Sequence, residues 1–134
     1  MREALRFGDV EVVLRATAET TNGTIAAFEE NDPVDTPLHV HEHEDELFFV
    51  LEGEHVIQVG ETEHHVGPGG LVFAPRGVPH AQRRVVPRTG RMFVVTAPAG
   101  LEGFFRTLAK ADDAGDLGPE AYASASERYG IRWL

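Results

Sequence analysis

Before Pro98 the chain alternates short apolar runs with polar or Gly/Pro breaks, the pattern of many brief strands. Asp9 to Thr17 is rich in valine and Thr24 to Glu29 is a shorter apolar run; Asn22-Gly23 between them is a hairpin turn signal, so a β-hairpin is predicted. Two prolines in Asn31 to Pro37 break the pattern before an apolar strand from Leu47 to Leu51. Further strands are predicted over His55 to Val59, Thr62 to Val66, Leu71 to Ala74, His80 to Val86 and Arg91 to Thr96. Their separators are Glu52-Gly53-Glu54, Gly60-Glu61, Gly67 to Gly70, Pro75 to Pro79 and Pro87-Arg88-Thr89-Gly90. Such a series predicts an all-β fold, an antiparallel sandwich or barrel.

The period then changes. Leu101, Phe104, Phe105 and Leu108 recur at i, i+3, i+4 and i+7, one apolar stripe of an amphipathic helix from about Leu101 to Lys110 that should pack on the sheet. Pro119 suits the first turn of a second helix, with Tyr122, Ser126 and Tyr129 facing inward and Gly130 as its stop. No repeat or composition shift divides the chain, so one domain is expected over 1–134, with a barrel at about 7–98 and a helical tail at about 100–134.

Charge and composition narrow the partners. The formal net charge of -10 opposes binding to phosphate backbones, so nucleic acid is not expected. No stretch approaches transmembrane length and cysteine is absent, which leads to the expectation of a cytoplasmic protein with no membrane partner and no thiolate chemistry. Lys and Arg are missing between Arg15 and Arg76, whereas Arg76, Arg83, Arg84, Arg88 and Arg91 fall in an acid-free stretch between Glu63 and Glu102. Strands from the two regions are expected to pair, so that these charges meet across the sheet.

The chemistry concentrates in residues 37 to 53. His39 and His41 are two apart, so on an extended strand both project from one face, with Val40 turned away. Glu46 follows the polar run His43-Glu44-Asp45, a spacing that lets the chain turn and return a carboxylate beside the histidines. Two imidazoles and a carboxylate suit a divalent metal of the borderline kind, with iron, nickel, manganese and zinc all open. The competing reading is a solvated His-rich loop. Further along, Pro75 and Gly77 form a tight turn and His80 opens the next strand; alone, it would more often be a hydrogen-bonded core residue than a ligand.

Together the two stretches resemble the cupin superfamily. Its first motif, G-x5-H-x-H-x3,4-E-x6-G, is met at His39, His41, Glu46 and Gly53; its second, G-x5-P-x-G-x2-H-x3-N, at Gly69, Pro75, Gly77 and His80. The leading glycine is out of position and Arg84 stands where the closing asparagine is expected. The resemblance covers about Phe28 to Thr96. It implies a double-stranded β-helix, an antiparallel barrel here followed by C-terminal helices. It also implies a homodimer and a metal held by His39, His41, Glu46 and His80.

Four protein ligands leave a position open for a small-molecule substrate or dioxygen, and Glu46 is also the candidate general base. Parity places Phe48 and Val50 inward with Glu46, and Gln82 and Arg84 inward with His80. With Phe28, Phe73 and Phe93 nearby, an aromatic cavity for a planar ligand is expected, with Phe48, Phe73, Gln82 and Phe93 as substrate contacts. Arg84, if inward, would hold an anionic or phenolate group. His43 should face solvent, and His55, His64 and His65 have no visible partner. Three functions stay open: a dioxygenase resembling quercetinase-like cupins, a non-redox cyclase or isomerase like the small cupins of aromatic polyketide pathways, and a ligand-binding module.

Overall fold

The structure, a computed structural model, describes residues 1–86 and 90–134; most of the expected Pro87 to Gly90 turn, and Arg88 with it, lies outside the described residues. Strands β1 (Glu3–Phe7), β2 (Val10–Ala16), β3 (Ala26–Asn31), β4 (His39–His41), β5 (Asp45–Glu52), β6 (His55–Val59), β7 (Thr62–Val66), β8 (Leu71–Ala74), β9 (His80–Arg84) and β10 (Arg91–Ala97) precede the helical segment. They are joined by β11 (Ile131–Trp133) in two antiparallel sheets, ordered β1-β2-β3-β10-β5-β8 and β11-β4-β9-β6-β7. The result is the double-stranded β-helix of the jelly-roll kind, without full closure of the sheets into a continuous barrel.

Alternation along the strands builds the interior. In β5 and β10, Glu46, Phe48, Val50, Met92, Val94 and Thr96 are buried, and the residues between them are more exposed. Leu14, Phe28 and Ile57 complete a core without solvent exposure. Phe28 is wholly buried, worth about 2 to 3 kcal/mol of hydrophobic stabilisation.

The expected hairpin differs in its connection. β2 and β3 do pair antiparallel, but a one-turn helix α1 (Ala18–Thr21) joins them, started by a capping box at Thr17. Asn22 takes the left-handed conformation, φ 54°, as that helix's cap rather than as a hairpin turn. The tight hairpin lies one strand earlier. Phe7 opposes Val10 across the two-residue Gly8-Asp9 loop, which makes Glu3–Phe7 a strand that sequence reasoning passed over.

Helix α2 (Glu102–Asp113) runs three residues past its expected end, with Phe104 and Leu108 buried. Helix α3 (Pro119–Tyr129) begins on its proline and stops at Gly130, whose φ of 71° ends the helix and turns the chain back toward the sheet. Of its expected inward residues Ser126 is buried, while Tyr122 and Tyr129 are half-buried. β11 then pairs with β4, setting Ile131 opposite His41 and Trp133 opposite His39.

Charges meet across strands as expected among the described residues. Arg91 reaches Glu29 at 2.7 Å and Glu52 at 3.2 Å, Arg83 reaches Glu63 at 3.3 Å, and Arg76 reaches Asp45 at 3.3 Å. These pairs are largely solvated, each worth about 0 to 1 kcal/mol, so they neutralise the acidic surface more than they stabilise it. No helix among the described residues is long and apolar enough to cross a membrane.

Candidate metal centre

Pro37 biases Thr36 before it to extended backbone, and in the three-residue β4 His39 and His41 then project to one side, both buried. β9 pairs with it through one register, His39 opposite His80. The turn before β9 is held from two directions. The Gly77 N–H donates to the His41 carbonyl at 2.9 Å, and the Arg76 N–H donates to Asp45 Oδ1 at 2.9 Å. The second histidine motif is thereby fastened onto the first.

His39, His41 and His80 each offer a ring nitrogen, and these atoms lie within 4.8 Å of one another. Ring centroids are 4.4 Å apart for His39 and His80, 5.0 Å for His39 and His41, and 5.1 Å for His41 and His80. Glu46 joins them from β5: its Oε1 lies 3.2 Å from His41 Nε2 and 3.1 Å from His80 Nε2. All four side chains are buried.

The outer nitrogens explain the inner ones. His39 Nδ1 lies 2.7 Å from the Pro37 carbonyl, an obligate acceptor, so Nδ1 carries the proton and Nε2 keeps its lone pair. Glu44, also buried, sits with Oε1 3.5 Å from His41 Nδ1, near enough for its charge to act on that ring, although neither atom has a hydrogen-bond partner. Burial, aided by the His80 charge, pushes His39 down to about 4, so it is neutral at physiological pH. Burial also works against charge on His41, but Glu46 and Glu44 outweigh it and hold that imidazole above its usual range. On Glu46 burial pushes upward, and the neighbouring histidines overcome it to hold the carboxyl low.

The donor set fits a divalent cation. Glu46 Oε1 is buried without a hydrogen-bond partner, and three neutral-capable imidazoles with one carboxylate offer the N and O atoms that borderline metals accept. A cavity of about 90 Å³ opens beside the four residues, walled by Phe48, Gln82, Leu101, Phe104, Phe105 and Trp133 among others. It admits a small group, not a large ligand whole.

The Cupin domain family matches residues 28–96, more than half of the chain. The chain belongs to the cupin family. It is 29% identical over 108 residues to quercetin 2,3-dioxygenase of Bacillus subtilis (strain 168), a match over 79% of this chain and 32% of that protein, so the chain spans about a third of the relative's length. Among solved structures, the cupin domain of Schizosaccharomyces pombe Cnp3 superposes with a TM-score of 0.61 at 19% identity, covering 76% of this chain and 73% of that one. KdgF from Halomonas sp. superposes with a TM-score of 0.63 at 14% identity, covering 75% and 91%. Identities this low speak for the shared fold alone.

Within this cupin, the sequence-derived site residues divide clearly. His39, His41, Glu46, His80, Phe48 and Gln82 come together around the cavity. Phe73 and Phe93 do not. Ala74 and Thr96 are the cross-strand partners of Glu46, so alternation turns Phe73 and Phe93 to the opposite, outer face, where Phe73 is 51% exposed. Phe28 belongs to the core. Arg84 does not reach the cavity; it leans outward to Asp32 at 3.4 Å, and its main-chain N–H donates to Asp35 at 2.8 Å.

Three of the four remaining histidines have definite neighbours. His55 is buried with Nε2 3.1 Å from the Glu52 carbonyl, packed against Gly90 so closely that a Cβ there would meet its ring. His43 is exposed, its ring lying over Gly130, and His65 is exposed beside Glu63.

Sequence reasoning missed Glu30, Glu44, Phe104, Phe105 and Trp133 as parts of the site. The Phe104-Phe105 pair was visible as a helical stripe, yet its role as cavity wall depends on where α2 docks. Glu30 carried a signal only in hindsight of register: Val12 and Met92, both fully buried, are its cross-strand partners, so it must face inward.

Proposed function

We propose that this cupin is a metal-dependent enzyme, a dioxygenase or related oxidoreductase acting on a small aromatic or enolisable substrate, with His39, His41, His80 and Glu46 holding a divalent iron, nickel, manganese or zinc ion. The observation that carries the proposal is the convergence of three buried imidazoles and one buried carboxylate on one small cavity, with His39 Nδ1 engaged from outside by the Pro37 carbonyl. The similarity to quercetin 2,3-dioxygenase supports the oxidative reading, over the third of that protein that this chain spans.

Once bound, such an ion supplies a Lewis acid and, if redox-active, an electron-exchanging centre. The chain's own residues do the rest. Phe48, Phe104 and Trp133 exclude water from a planar substrate, and Gln82 offers an amide to a polar group on it. Glu46 is the one anionic ligand, and a carboxylate that loosens from its partners can take a substrate proton. Leu71 and Phe73, 57% and 51% exposed on the outer face of the larger sheet, support a homodimer joined through that face.

The experiment is an oxygen-electrode screen of protein loaded separately with each of the four metals, against flavonols, catechols and acyclic diketones. Oxygen uptake that E46Q abolishes while keeping its metal is the expected result. A second reading, a non-redox cyclase or isomerase, is favoured by a further carboxyl in the cavity wall, Glu30. It predicts substrate conversion by the zinc form without oxygen uptake. Ligand binding that survives removal of metal, with no conversion, would instead indicate a binding module.

A further inference from the structure

A second cavity lies beside the metal centre. The chamber of about 90 Å³ has as its neighbour one of about 230 Å³ that is walled by Phe7, Val10, Val12, Val34 and Tyr122. Glu30, Thr36, Gln82, Phe104, Phe105 and Trp133 line both and form the neck between them. Three of the six, Phe104, Phe105 and Trp133, are aromatic and offer faces on which a flat molecule can stack.

Gln82 Nε2 donates to Glu30 Oε2 at 3.0 Å and reaches the Val34 carbonyl at 3.4 Å. Both partners are acceptors, so the orientation of the amide is determined. The main chain of Gln82 is itself clamped: its N–H donates to Thr36 Oγ1 at 3.1 Å, and its carbonyl accepts from the Thr36 N–H at 2.9 Å. What this leaves is Gln82 Oε1, an acceptor on a side chain only 8% exposed, with no hydrogen-bond partner. An unpaired buried acceptor asks for a donor. No lysine or arginine lines either chamber among the described residues, while Glu30 and Glu46 both do, which disfavours an anionic ligand at the neck.

We propose that Glu30, positioned by Gln82, accepts a proton at this neck, and that the substrate is a neutral planar molecule whose hydroxyl group donates to Gln82 Oε1. In the step a second, neighbouring hydroxyl of the same molecule loses its proton: its O–H bond breaks, the electron pair stays on oxygen, and the proton passes to the Glu30 carboxylate, which becomes a neutral acid, while the first hydroxyl stays hydrogen-bonded to Gln82 Oε1. Burial pushes the Glu30 carboxyl up to about 7, opposed by the Gln82 hydrogen bond and assisted by the charge of Glu46, so both protonation states are within reach. The inference rests on the proposed function, because the neck opens onto the same metal centre.

The test is calorimetric binding of catechol, its dimethyl ether and benzoate to zinc-loaded wild type, E30Q and Q82L, across pH 5 to 9. Catechol should bind wild type at least about ten-fold more tightly than the ether or benzoate, and Q82L should lose about that factor. E30Q should bind catechol without the pH dependence of affinity that wild type shows between pH 5 and 9. If Q82L does not fold, Q82M keeps the length and removes the acceptor. Equal affinity for the ether, no saturable catechol binding, or variants with wild-type affinity and pH profile overturn the proposal. If wild type holds no zinc, the metal centre falls separately, and the catechol contrast between metal-free wild type and Q82L decides the neck.

Discussion

His39 and His80 are direct cross-strand partners with ring centroids 4.4 Å apart, although four strands separate them along the chain. The pairing puts the second histidine motif into the first, and Glu46 from the facing sheet closes the group at 3.1 Å from His80. The site therefore spans both sheets, and its geometry depends on how they pack.

Glu44 should prove essential to affinity without touching the ion. Its carboxylate lies 3.5 Å from His41 Nδ1, close enough to form a charge-assisted hydrogen bond once the imidazole's other nitrogen is taken by an ion. E44Q, measured by competition against a chelator, should bind zinc about ten-fold or more weakly with an unchanged circular dichroism spectrum. Wild-type affinity would mean that β4 alone orients the ring.

Glu30 sets a pH dependence of stability in the metal-free protein. Its folded pKa is raised from 4.5 to about 7, chiefly by burial, so the folded state binds the proton more tightly than the unfolded one. The stabilisation is complete below about pH 4.5 and is lost as pH rises through about 7. E30Q stays neutral throughout. It should melt close to wild type at pH 5 and above it at pH 8, by an amount on the order of 2 kcal/mol. Parallel melting curves at both pH values would show that Glu30 is not desolvated.

Legibility followed the range of the interaction. The convergence of the candidate ligands could be read because local rules place them: His39 and His41 share a face by strand period, and Gly77 marks the turn that releases His80. The strands between Asp45 and Val66 were readable for the same reason, since Gly53, with φ 84°, and Gly60 punctuate them. Phe73 and Phe93 were misplaced because apolar character on both faces of β8 and β10 hides which face is inner. Only their pairing with the Glu46 strand decides it. β11 was missed because three residues carry no period, and Trp133 becomes a cavity wall only through its long-range pairing with His39.

The two faces of the larger sheet should separate stability from assembly. F28A removes a fully buried ring and should cost about 3 to 5 kcal/mol in chemical denaturation. F73D, on the outer face, should leave the melting of the monomer within about 0.5 kcal/mol while shifting a dimer to monomer in analytical ultracentrifugation. A wild type that sediments as a monomer at all concentrations would remove the homodimer from the account.

Metal content tests the central claim most directly. Protein saturated with zinc, freed of excess and analysed for metal, should carry about one ion per chain in wild type and in the exposed-histidine control H43A, and far less in H41A and H80A. Full occupancy in H80A, or no stoichiometric metal in wild type, would contradict it.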